Sequence, residues 1–158
     1  MTIPPALKPL ERLVGKWTTE ATHPAMPGVV VHGTVTVEWL EGHRFLIHRA
    51  RTDHPDFPDS ISIIGFTERD RADPDAPPPP EPQLSMHYYD SRGVYREYAV
   101  AIDADSWRWS RPSPGFSQRF EGTFVDDGNR LLGLVQMSKD DAHWDDDLRI
   151  TYTRGART

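Results

Sequence analysis

Residues Leu84–Ile102, LSMHYYDSRGVYREYAVAI, read as a β-hairpin, and the faces on which their side chains fall decide the fold. Asp90-Ser91-Arg92-Gly93 has the composition of a type I turn closed by a glycine in the left-handed region, the three-residue hairpin loop with a bulge. On that register Asp90 faces Val94, and the pairs run outward as Tyr89–Tyr95, Tyr88–Arg96, His87–Glu97, Met86–Tyr98, Ser85–Ala99 and Leu84–Val100. Strand side chains alternate between faces. One face therefore carries Leu84, Met86, Tyr88, Val94, Arg96, Tyr98, Val100 and Ile102, and the other Ser85, His87, Tyr89, Tyr95, Glu97, Ala99 and Ala101. The first is mostly apolar and turns inward, with Arg96 held between two tyrosines.

The same period of two governs nearly all of the chain around this hairpin. Only the start differs: Leu7, Leu10, Leu13 and Val14 fall at helical spacing, so Ala6–Val14 reads as one short helix, with Pro9 tolerable in its first turn and Gly15 ending it. From Lys16 onward the alternation predicts strands over Lys16–His23, Val29–Leu40, Arg44–Thr52, Ser60–Glu68, Gln83–Asp90, Val94–Asp103, Ser106–Arg111, Phe116–Asp126, Arg130–Lys139 and Trp144–Thr153. Short connectors of turn residues, such as Glu41-Gly42 and Asp126-Asp127-Gly128-Asn129, favour hairpins. About ten strands, each with one apolar face, must curl to hide that face, and closing into a barrel also removes the edges. The expected fold is all-β: an antiparallel up-and-down β-barrel of about ten strands with one short N-terminal helix. A barrel wider than about eight strands is not filled by its own side chains, so an internal cavity is expected. Residues 69–82, RDRADPDAPPPPEP, break the rhythm and read as an exposed proline-rich loop, a tolerated surface insertion, a lid, or a docking site for a proline-reading partner.

At 158 residues the chain suits a single domain spanning residues 1–158. It has no apolar run long enough to span a bilayer, and its start lacks the basic and apolar regions of a signal peptide, so the expected location is cytoplasmic. The absence of cysteine excludes disulfides, thiolate catalysis and cysteine-ligated metals. A formal net charge of -6 argues against a nucleic-acid partner, which calls for clustered basic charge.

Gly15-Lys16-Trp17, after a short helix and opening the first strand, resembles the Gly-x-Trp signature of calycins, the superfamily of lipocalins and fatty-acid-binding proteins. That resemblance implies a barrel closed at one end by Trp17 with an arginine of the last strand packed across it, Arg154 first and Arg149 second. Glu38-Trp39-Leu40-Glu41-Gly42, Tyr88–Gly93, Gly115–Phe120 and Ser138–Trp144 are similar to bacterial nitrobindin-like and lipocalin-like domains of unknown function. The family's last motif carries glycine where Asp141 stands here, which puts that tight turn in question. Haem-binding members have an axial histidine near the C-terminal end. Here only His143 lies in that region, in a turn, so haem is a minor alternative and no cofactor is predicted.

Tyr88, Arg96 and Tyr98 form the constellation best suited to a ligand. Arginine offers a planar fork for a carboxylate or phosphate, and tyrosine a hydroxyl on an apolar body. Two partners for Arg96 stay open, a ligand or an internal carboxylate such as Glu38. A two-residue turn at Glu41-Gly42 would pair Val37 with Leu46 and Val35 with His48, turning Trp39, Arg44 and His48 inward. His48 then reads as a structural histidine, an anchor or a general base. Phe116, Gln118, Phe120 and Phe124 alternate on one face, as do Trp107 and Trp109, a barrel core or an aromatic pocket wall. The acidic run Asp140–Asp147 lacks the spacing and glycine of a calcium loop, so no metal is expected. No nucleophile elbow, phosphate-binding glycine loop or His-Glu-x-x-His occurs. These observations imply a small, mostly apolar and anionic ligand inside a barrel, touching Arg96, Tyr98, Tyr88, Met86, His48, Trp39, Gln118 and Phe120. The alternatives are a nitrobindin-like haem protein or a barrel enzyme of isomerase or cyclase type using His48 or a tyrosine as acid–base, so whether the chain is an enzyme stays open. A filled barrel acting through a partner is a third reading, and a homodimer is compatible with each.

Overall fold

Ten strands follow one short helix in the computed structural model, which describes residues 2–66, 75, 77 and 83–155. The helix spans Pro5–Leu13, and the strands are β1 (Gly15–Thr22), β2 (Val31–Trp39), β3 (Phe45–Thr52), β4 (Ser60–Phe66), β5 (Leu84–Asp90), β6 (Tyr95–Ile102), β7 (Ser106–Arg111), β8 (Ser117–Val125), β9 (Arg130–Ser138) and β10 (Asp145–Arg154). Each strand pairs antiparallel with its neighbours in sequence, and β1 pairs with β10 to close the barrel. All ten expected strands are present, with ends shifted by a residue or two. The loop expected at 69–82 lies outside the described residues, apart from Asp75 and Pro77, both exposed. No helix among the described residues is long and apolar enough to cross a membrane.

The β5–β6 hairpin has the register expected of it, from Tyr89↔Tyr95 through Tyr88↔Arg96 to Ser85↔Ala99. The Asp90 N–H donates to the Val94 carbonyl (3.0 Å), and Gly93, at φ 83°, takes the left-handed place that a side chain would strain. The β2–β3 connection differs from the two-residue turn expected there. The Leu40 N–H donates to the Phe45 carbonyl (2.8 Å), so Glu41–Arg44 form a four-residue loop with Gly42 and His43 at φ 97° and 56°. Pairing slips by two residues, to Val37↔His48 and Trp39↔Leu46. A slip of two preserves the faces, so Trp39 and His48 still point inward, whereas Arg44 sits in the loop and is exposed.

The N-terminal helix is a 3₁₀ helix rather than an α-helix. Pro9 inside it cannot donate a backbone bond and would crowd an α-helical carbonyl. Three residues per turn also puts Leu7, Leu10 and Leu13 on one line, and all are at most 2% exposed. They plug one end of the barrel above Trp17, whose indole N–H donates to the Leu13 carbonyl (2.9 Å). Arg154 locks the plug. Its guanidinium lies 4.1 Å from the Trp17 ring centroid and donates to the carbonyls of Val14 (2.6 Å), Arg12 (2.8 Å) and Gly128 (3.3 Å). A β-carbon on Gly15 would come within 2.7 Å of this guanidinium, which is the physical reason for the glycine of Gly-x-Trp here. Arg149 instead points outward and pairs with Asp146 (3.2 Å).

Asp141 does occupy the left-handed region, at φ 62°. Ser138 Oγ accepts from its N–H (2.9 Å), and the Asp140 carboxylate accepts from the N–H groups of Ala142 and His143. These bonds hold the turn despite the missing glycine.

Arg154→Ala removes charge-assisted bonds and a cation–π contact together, and is expected to lower the unfolding free energy in urea by about 2 kcal/mol. Asp141→Gly, which keeps every backbone bond of its turn, is expected to raise it by roughly 0.5 kcal/mol in the same measurement.

Candidate functional site

Antiparallel order sends the chain alternately between two ends of the barrel. The helix, the β2–β3 loop and the β8–β9 turn lie at the plugged end; the β5–β6 hairpin and the β7–β8 connection lie at the far end. The far end carries most of the inward polar side chains. Cross-strand pairing places Tyr88 opposite Arg96, Met86 opposite Tyr98, and Arg111 opposite Gln118. Below them Tyr98 meets Trp109 edge-on (4.5 Å between ring centroids), and Trp109 stacks on Phe120 (5.2 Å). The inward-facing hairpin strand thus descends from a polar rim to an aromatic wall.

Both tyrosine hydroxyls have protein partners. Tyr98 donates to Gln118 Oε1 (3.0 Å), and Tyr88 to Asp90 Oδ2 (2.8 Å). Burial raises the pKa of both phenols, and for Tyr98 the guanidinium groups of Arg96 and Arg111 oppose the rise. Asp90 is the centre of the hairpin tip. Its carboxylate, wholly enclosed, accepts from Arg92 Nη2 (2.7 Å) and Nε (3.2 Å), from Tyr88, and from the N–H groups of Arg92 and Val94. The Arg92 fork above all holds its pKa well below the usual carboxylate range. In sequence Asp90 reads only as a turn residue; its inward position follows from the alternation that placed Tyr88.

Arg96 acts on the Tyr98 phenol but stands apart from the bonds around Asp90. It is half-buried, its guanidinium carbon lies 5.4 Å from the centroid of the Phe116 ring, and among the described residues it makes no ion pair with a carboxylate. Glu38 is not its partner. Lying between inward Val37 and Trp39, Glu38 points outward and pairs with Arg49 (2.7 Å). Arg111, absent from the expected set, joins the site: Trp107-x-Trp109-x-Arg111 alternates inward, and the Arg111 guanidinium donates to the Phe116 carbonyl (3.4 Å).

The remaining expected contacts lie elsewhere. Trp39 is at the plugged end beside His43 (5.8 Å between centroids). His48 sits in the core between Trp107 (6.0 Å) and Tyr152 (6.4 Å), and among the described residues neither of its ring nitrogens has a hydrogen-bond partner; the Trp107 indole N–H also has none. Burial pushes the His48 imidazole down from 6.5 to about 4, so it is neutral at physiological pH. Neither histidine fits a haem. The His143 ring lies on an exposed loop and is bonded to Asp140 (2.7 Å), while the nitrogens of His48 are sealed against aromatic rings. Among the described residues no group of three or more His, Asp or Glu is placed to hold a metal ion. Asp146 and Asp147 of the acidic run pair with Arg149 and His23. A groove of about 950 Å³ crosses the outer face of β6–β10, and two of its three arginines are engaged, Arg119 over the Trp144 ring (3.9 Å) and Arg149 with Asp146.

No protein-family model matches the chain, and no curated protein does. Its structure is similar to that of Rv2717c from M. tuberculosis, with a TM-score of 0.65 and 15% identity over 98% of this chain and 100% of that one. It is also similar to the S-type phycobiliprotein lyase CPES from Guillardia theta, with a TM-score of 0.51 and 8% identity over 94% and 91% of the two chains. At these identities the likeness is one of fold, and it fits the calycin-like, lipocalin-like barrel.

His48 carries a pH prediction. The unfolded chain takes up a proton below about 6.5, while the folded chain holds His48 neutral down to about 4. Stability from this residue is therefore present above pH 6.5 and is lost as pH falls through that window, by about 1.4 kcal/mol per pH unit and about 3 kcal/mol in all. Urea unfolding of the wild type and of His48→Gln across pH 4–7 checks it: the variant is expected to lack this acid-sensitive part of the curve.

Proposed function

We propose that this protein is a ligand-binding barrel, in which a small, mostly apolar and anionic molecule enters at the end opposite the helix with its charged group on Arg96. One observation carries the reading: Arg96 is turned inward and half-buried, with no carboxylate partner among the described residues. A desolvated guanidinium without an anion is costly, and an anionic ligand removes that cost. Two further features support it. Asp90, the inward carboxylate on the adjoining strand, is already neutralised by Arg92, and half-buried Trp109 offers an apolar surface beneath the rim, stacked on the buried Phe120. In this reading Tyr98 and Gln118 hold the wall behind the arginine, Tyr88 braces Asp90, and His48 and Trp39 do not touch the charged group.

A second reading is an enzyme with His48 as acid–base. It is favoured by the unpartnered nitrogens of a neutral imidazole between Trp107 and Tyr152, and by the neighbour named as a lyase. It requires a substrate to part those rings, so the binding reading comes first. A nitrobindin-like haem role is not proposed, since neither His48 nor His143 suits an axial position.

Dodecanoate binding, followed by displacement of a fluorescent anilinonaphthalene sulfonate, tests the anchor. Arg96→Gln is expected to weaken dodecanoate about tenfold or more, the worth of one hydrogen-bonded charge pair, at a melting temperature equal to or above that of the wild type. Equal affinity in the folded variant would remove Arg96 from the site.

A further inference from the structure

The far end of the barrel holds two inward arginines, and their arrangement says more about the ligand than either does alone. Arg111 follows Trp107 and Trp109 on the inner face of β7. Ala99 faces Ser110 across the β6–β7 ladder, so the next inward position on β7 beside Tyr98 belongs to Arg111, diagonal to Arg96. Diagonal neighbours on adjacent strands have Cα atoms about 7–8 Å apart, well within reach of two long side chains. Both arginines converge on Phe116: Arg96 lies over its ring (5.4 Å) and Arg111 donates to its carbonyl (3.4 Å). Both also act on the Tyr98 phenol, which stands between them.

Among the described residues neither arginine has a carboxylate partner. Asp90 does not compensate them, because its oxygens accept from Arg92, Tyr88 and the hairpin backbone. The rim thus concentrates two uncompensated positive charges on a chain whose formal net charge is -6. Two half-buried like charges at this separation repel each other. A single carboxylate relieves one of them, whereas a head group with two negative charges relieves both and offers each planar fork its own oxygens.

We infer that Arg96 and Arg111 together form a site for a dianionic head group, a phosphate monoester or a vicinal dicarboxylate, borne on an apolar body that lies against Trp109. The inference rests on the proposed binding function and narrows its ligand class. Arg96 anchors any anion there, and Arg111 confers the preference for the second charge.

The test compares dodecyl phosphate with dodecanoate by isothermal titration of the full chain at pH 8, where the phosphate monoester is doubly charged, below the micelle concentration of each. Dodecyl phosphate is expected to bind about tenfold tighter than dodecanoate to the wild type, a comparison that needs no variant. Arg111→Gln is expected to bring dodecyl phosphate down to about the affinity of dodecanoate while leaving dodecanoate within about threefold. Arg111→Lys, which keeps the charge, is expected to retain most of the preference, and Arg96→Gln to weaken both probes. Equal affinity of the two probes for the wild type, or a preference untouched in folded Arg111→Gln, overturns the dianion inference and leaves the single-anion reading standing. Absence of binding by either probe overturns both.

Discussion

Everything in this molecule depends on the ladder between β1 and β10. An antiparallel sheet of ten strands with one apolar face is soluble only when that face is covered, and pairing the first strand with the last covers it without any second layer. The closing ladder runs from Trp17↔Arg154 to Thr22↔Arg149, so the residues that seal the sheet also seal one end. Arg154 gathers carbonyls from the N-terminal helix and the β8–β9 turn over the Trp17 ring, which ties the start and finish of the fold to one guanidinium. The helix is short and carries a proline, and it is held by the line of Leu7, Leu10 and Leu13 rather than by its own hydrogen bonds.

Closing one end with leucines and tryptophan leaves polarity to the other. The two ends are accordingly unlike: aliphatic and aromatic packing beneath the helix, and Tyr88, Asp90, Arg96, Arg111 and Gln118 at the far rim. Within that rim charge is divided unevenly. Asp90 takes the fork of Arg92 and the hydroxyl of Tyr88, the bonds expected of a structural carboxylate, and so the remaining arginines face inward without an anion. His48 marks a different solution in the core. It is buried without hydrogen-bond partners among the described residues, and the loss of water keeps it neutral.

Legibility in the sequence tracked how local the cause was. The β5–β6 hairpin could be read pair by pair because Asp90 and Gly93 specify their turn within four residues. The β2–β3 loop was read two residues short, since Gly42 announces a left-handed position but His43 does not, and histidine at φ 56° is uncommon. The error did not turn His48 outward because strand faces repeat every two residues. The alternation of Val37 and Trp39 points Glu38 outward, which separates it from Arg96. Trp107 and Trp109 likewise set the direction of Arg111, a signal that lies in the sequence of β7 itself.

By itself the sequence determined the strands, their faces and the inward course of Arg96, because period-two alternation and turn chemistry act over a few residues. Only the tertiary structure decided which side chains share a space. The meeting of His48 with Trp107 and Tyr152 joins β3, β7 and β10, and the Phe116 contact shared by Arg96 and Arg111 depends on how the sheet curves as it closes. Contacts of that kind belong to the closed barrel, and no local pattern records them.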